Sequence, residues 1–103
     1  FYKSCEKLKL PRHLKDQLLR AASSVALNLA EGSERGSDAD QRRFYRMAMG
    51  STRECQAILD LIGAEIVTAD AKKLGDELAA CIFSLCKSID KKIAPTGAVN
   101  REP

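Results

Sequence analysis

Leu14, Leu18, Ala21, Val25 and Leu29 recur at steps of four and three, the spacing of a helix that turns one side to a core. Any fold open to this chain must bury that seam. A second line, Gln17, Arg20, Ser24, Asn28 and Glu31, runs along the same segment and is polar. At roughly 100° per residue it lies about 120° around the helix from the apolar one. Leu27 falls within the polar face. Spacing alone leaves two readings open: a solvated face with one stray leucine, or a recurrent line of polar contacts.

The same period continues on either side. Phe1 to Leu8 reads as the end of a first helix, with Cys5 and Leu8 on one side, and we expect its beginning to lie upstream of Phe1. Leu10-Pro11 interrupts it, because proline lacks a backbone donor and disfavours helical geometry in the residue before it. The second helix is then predicted from Arg12 to Glu31, with Gly32 as a left-handed stop. Ser37 caps a third helix and Asp38 and Asp40 fall in its first turn, where the helix dipole favours negative charge. The predicted seam of that helix is Phe44, Ala48, Ser51, Cys55, Ile58 and Ile62. Gly50 in its middle costs about 1 kcal/mol against alanine, which suggests either the close approach of another backbone or a small pair, Gly50-Ser51, that is merely tolerated. A hairpin turning at 32–37 would bring Arg20 near Ser51 and Glu54, so a buried or half-buried Arg20–Glu54 pair is predicted. Thr68 or Asp70 caps a fourth helix with Leu74, Leu78, Cys81, Leu85 and Ile89 as its seam and Ile82, Cys86 and Ile93 beside it. That broad apolar face suits two neighbours, within a bundle or across a subunit boundary. From Pro95 the chain is polar with Pro and Gly, a tail predicted to be disordered. The expectation is an all-α, antiparallel up-and-down four-helix bundle over residues 1–94, its first helix truncated at the N-terminus, followed by a disordered tail at 95–103.

Several classes of function find no residues. No run approaches the roughly 20 apolar residues that span a bilayer, and no signal peptide is visible, so a cytoplasmic protein without a membrane partner is expected. The cysteines Cys5, Cys55, Cys81 and Cys86 lack metal-ligand spacing, each has apolar helical neighbours, and His13 is the one histidine. Buried thiols are predicted, with no metal and no cofactor. No histidine stands near a nucleophile and no Gly-rich phosphate loop is present, so the chain is not expected to be an enzyme.

The net charge of +3 is unevenly distributed. Residues 1–20 carry six Lys and Arg against Glu6 and Asp16, and residues 35–53 carry five Arg against Asp38 and Asp40. Residues 54–90 carry three Lys against seven acids. Such asymmetry points to a polyanion or to a complementary contact with another copy. Lys9, Arg12, Lys15, Arg35, Arg42, Arg43, Arg46 and Arg53 are the candidate phosphate contacts for RNA or DNA. As solvated positions, or paired with acids of a neighbour, they would carry no such role.

The series Gln17-x-x-Arg20-Ala21-Ala22-x-Ser24-x-x-x-Asn28-x-Ala30-Glu31-Gly32, followed by Arg35, Phe44, Ala48, Gly50-Ser51 and Glu54, resembles the bacterial four-helix-bundle proteins found in intervening sequences of large-subunit ribosomal RNA genes. The likeness runs from Phe1 to Ile93. Two departures are a shorter Leu10 to Gln17 connection and a family first helix that extends upstream of Phe1. The resemblance implies a non-enzymatic bundle that assembles into a homo-oligomeric ring, with pentamers among relatives. A more remote likeness, to the accessory variability protein of diversity-generating retroelements, implies a basic surface for nucleic acid and a reverse transcriptase as partner, whereas the nearer family implies ribosomal RNA. The alternative is a structural or protein-interaction module in which Gln17, Arg20, Ser24, Asn28, Glu31, Ser51 and Glu54 are interface or core polar groups set for register.

Overall fold

The computed structural model describes residues 1–63 and 69–93. Four helices follow one another: α1 Tyr2–Glu6, α2 Arg12–Ser33, α3 Asp38–Ile62 and α4 Ala69–Ile93. Among the described residues there is no strand. The four-helix architecture is the predicted one. Central α3 packs along both α2 and α4, and short α1 closes one end against α2 and the start of α4. Both long pairs are antiparallel. Ser51 meets Ser24 while Tyr45 meets Gly32, and Arg46 meets Asp90 while Asp60 meets Lys72.

The ends of the helices follow local chemistry. Pro11 is extended at the N-cap of α2, and its carbonyl accepts the first bond from Lys15 N–H at 3.0 Å. Ser37 caps α3 as expected, its hydroxyl accepting from Asp40 N–H at 3.2 Å. Asp70 lies inside the first turn of α4. The other proposed cap, Thr68, Ile66-Val67 before it, and the predicted tail at 95–103 lie outside the described residues.

Gly32 corrects a prediction. It sits inside α2, which runs on to Ser33, and the left-handed glycine is instead Gly63 (φ 94°) at the end of α3. Gly32 is glycine for want of room: a Cβ there would stand 2.8 Å from Tyr45 Cε1 and 3.0 Å from Phe44 Cβ. The predicted close approach at Gly50 fails in turn, since nothing lies within 4 Å of a Cβ built there.

The core has two parts. At one end, Cys5 and Leu8 close over Leu18, Ala21, Ala22, Cys55, Ile58, Leu59 and Ala71. At the other, Val25, Ala48 and Ile82 join the three long helices, with Leu29, Met49, Leu78 and Cys86 packed around them. The α2 seam is as predicted. That of α3 is turned by one position in places: Tyr45, Thr52 and Leu59 are buried, whereas Phe44, Ser51 and Ile62 are half-buried. In α4 the predicted line is corrected more strongly. Ala71, Gly75, Ala79, Ile82 and Ile89 face inward, and Leu74, Cys81 and Leu85 are exposed. At Gly75 a Cβ would stand 3.3 Å from Phe1 Cε1, so little room is left for a side chain there.

Candidate functional site

The polar line of α2 divides into parts with different environments. At its centre the Ser51 hydroxyl donates to Ser24 Oγ at 2.9 Å, joining α3 to α2. Asn28 Nδ2 donates to the Ser24 carbonyl at 2.8 Å and to Ser24 Oγ at 3.0 Å. These three residues are half-buried and form a true contact line. The predicted Arg20–Glu54 pair does not form: both residues are exposed, on the outer edges of α2 and α3, and no ion pair joins them among the described residues. Gln17 is exposed as well. Glu31 turns toward the end of the helix and pairs with Arg35. Beside this line Leu27 is 69% exposed and Met47 46%.

The basic residues fall into two groups. Lys9, Arg12 and Lys15 cluster at the start of α2, whereas Arg35 lies just past its other end, about 30 Å away at the rise of an α-helix. Arg53 stands between, its Nη1 donating to Gln56 Oε1 at 3.5 Å. Four arginines do come together. Arg35 and Arg43 lie over the Phe44 ring, with Cζ at 4.7 and 4.5 Å from its centroid. Such stacking holds a planar guanidinium while leaving its N–H edges outward. Arg42, Arg43 and Arg46 line an open cleft of about 530 Å³ with Ala39 and Met47.

Acidic side chains attend this cluster. Asp90 of α4 accepts from Arg46 Nη2 at 3.2 Å and faces Arg42 Nη1 at 3.7 Å. Asp40 lies 3.9 Å from Arg43. Sequence reasoning passed over Asp90, which only the register of α3 against α4 brings to Arg46. All of these pairs are substantially exposed, where ion pairs contribute little, about 0–1 kcal/mol.

The thiols differ from prediction in part. Cys5 and Cys55 are buried and Cys86 half-buried, but Cys81 is exposed because it lies on the outward side of α4. Burial pushes the Cys5 thiol up to about 11. Burial, and then the neighbouring Cys5 and Glu54, push that of Cys55 up to about 12. Cys86 is also raised, by burial and then by Asp90. Thiols so shifted stay protonated and unreactive near neutral pH. His13 is exposed in the first turn of α2. Among the described residues no group of His, Cys, Asp or Glu is placed to hold a metal ion, and no helix is long and apolar enough to cross a membrane.

Compared with known proteins, the chain matches no curated protein and no solved structure, so the likeness to the accessory variability protein gains no support there. A family model does match, over residues 1–94, and its description is 23S rRNA-intervening sequence protein.

Proposed function

We propose, from the premise that this chain belongs to the 23S rRNA-intervening sequence protein family, that it is a non-catalytic cytoplasmic protein that self-assembles into a ring and holds RNA or DNA on its arginine-rich end. The observation that carries the nucleic-acid reading is that Arg43, stacked with Arg35 on Phe44, also lines one open cleft with Arg42 and Arg46. Guanidinium groups match phosphate oxygens in pairs, and stacking on the ring lowers the entropy lost when they engage. A net charge of +3 is modest for one chain, but repetition around a ring multiplies the field that phosphates meet. The protonated buried thiols and the isolated His13 support a role without catalysis.

Fluorescence anisotropy with structured RNA and with duplex DNA tests this reading. Binding at about 50 mM salt should weaken steeply as salt rises, because each phosphate contact releases counterions. Changing Arg42, Arg43 and Arg46 together to Glu should weaken it by roughly tenfold or more. Absence of binding by the wild-type chain at about 50 mM salt would remove the nucleic-acid role.

The outer face of the α2–α3 hairpin favours a second reading, a protein-interaction module. Leu27 and Met47 are exposed there, as are Arg20 and Glu54, which have no ion-pair partner among the described residues. Light scattering should show an oligomer for the wild type and a shift toward the single-chain mass for Leu27→Ser combined with Met47→Ser. A wild-type monomer would remove assembly from the proposal, and an unchanged oligomer in the variant would clear this face.

A further inference from the structure

Asp90 is the one acid that α4 places against two arginines of the cluster. Its carboxylate stands 3.2 Å from Arg46 Nη2 and 3.7 Å from Arg42 Nη1. It therefore occupies the position from which a phosphate oxygen would be recognised, since carboxylate and phosphate present the same acceptor geometry to a guanidinium. The side chains are 34% exposed at Arg42, 60% at Arg46 and 43% at Asp90, so water reaches all three. The cleft opens beside Arg42 and Arg46.

We propose that Asp90 is an internal stand-in for a nucleic-acid phosphate, which keeps Arg42 and Arg46 extended over the cleft and is displaced when a backbone phosphodiester binds them. The inference rests on the nucleic-acid reading above and adds to it a site and a competitor. The geometry has two consequences. A ligand must outcompete a carboxylate tethered at high local concentration, which disfavours isolated phosphates and favours a polyanion that engages Arg43 or Arg35 at the same time. The two guanidinium groups are also preordered, because the carboxylate restricts their rotamers before the ligand arrives.

The test is a gain of binding. Asp90→Asn keeps the size of the side chain and removes its charge. Anisotropy with a fluorescein-labelled single-stranded RNA of about 20 nucleotides, and with the same sequence as a duplex, should show affinity rising about threefold to tenfold at about 100 mM salt, with a steeper salt dependence. Asp60→Asn is the control. It also removes one carboxylate from an exposed ion pair, that with Lys72, but fourteen residues along α3 from Arg46, about 21 Å and beyond the Debye length of roughly 10 Å. Its effect should stay below about twofold. Adding Arg42→Ala and Arg46→Ala to Asp90→Asn should abolish the gain, and far-UV circular dichroism should show the helices of every variant intact.

Three results would overturn the inference while leaving nucleic-acid binding in place: affinity in Asp90→Asn equal to or below the wild type, an equal gain in Asp60→Asn, or a gain that survives loss of both arginines. If neither the wild type nor Asp90→Asn binds, the nucleic-acid reading itself falls, and the inference with it.

Discussion

Replacing Ile82 by alanine is expected to destabilise the fold by about 2–5 kcal/mol, the range for truncating a large aliphatic side chain in a packed interior. Ile82 is 0% exposed and meets Val25 of α2 and Ala48 of α3, so one side chain fills the place where the three long helices converge. The site is poorly able to collapse. Ala48 has no atoms to contribute, and the larger neighbours Leu29, Leu78 and Cys86 are already seated around it. Urea unfolding at fixed protein concentration should show the loss, and the thermal midpoint should fall by at least about 10 °C for a domain of this size. The adjacent Phe83 is 53% exposed, and its change to alanine should cost less than about 1 kcal/mol. Equal losses at the two positions would mean that the inner side of α4 is assigned wrongly.

Gly32→Val is expected to cost about 1–3 kcal/mol, although glycine is the poorer helix former. The helix gains a few tenths of a kcal/mol from valine. Against that, the first added carbon would meet Tyr45 Cε1 at 2.8 Å and Phe44 Cβ at 3.0 Å, and Phe44 Cβ is tied to the backbone of α3 and cannot swing aside. Valine's methyl groups add to the crowding, so α2 and α3 must part at this end. The diagnostic is coupling: in a Tyr45→Val background the same substitution should recover a large part of the loss, by roughly 1 kcal/mol or more in a double-mutant cycle. Strict additivity would place the cost elsewhere. The same displacement would carry Phe44 and the stacked Arg35 and Arg43 with it, linking packing at one glycine to the basic surface.

The α2 seam, the Ser37 cap, the number of helices and their antiparallel order were legible in the sequence because each depends on local spacing or a single turn. The phase of α3 was harder. Phe44-Tyr45 and Ser51-Thr52 are adjacent pairs that satisfy a helical period equally well, and at the first of them Tyr45 packs into the space that Gly32 leaves on the facing helix. In α4 the sequence offers two lines, one of large residues through Leu74, Cys81 and Leu85 and one of small residues through Ala71, Gly75 and Ala79. Periodicity favours the large one, yet the small one faces inward, with Phe1 close against Gly75. The candidate site was legible by residue type but not by partner. Ser51, expected beside Arg20, meets Ser24 one turn further along α2, while Arg20 and Glu54 are both exposed. Asp90 could not be paired with Arg46 without the register of α4 against α3.

Central α3 has a kinetic consequence as well as an architectural one. Its two large interfaces are with the helices immediately before and after it in the chain, so nearly all of the packing closes over short loops. Chains of that kind have low contact order and fold quickly, on the microsecond to millisecond scale. The two interfaces differ in the polar contacts that cross them. Releasing α4 removes Ile82 and the Asp90, Asp76 and Lys72 contacts, yet leaves the Ser24–Ser51 bond and the Gly32–Tyr45 contact in place. The α2–α3 hairpin thus keeps cross-helix contacts that do not depend on α4.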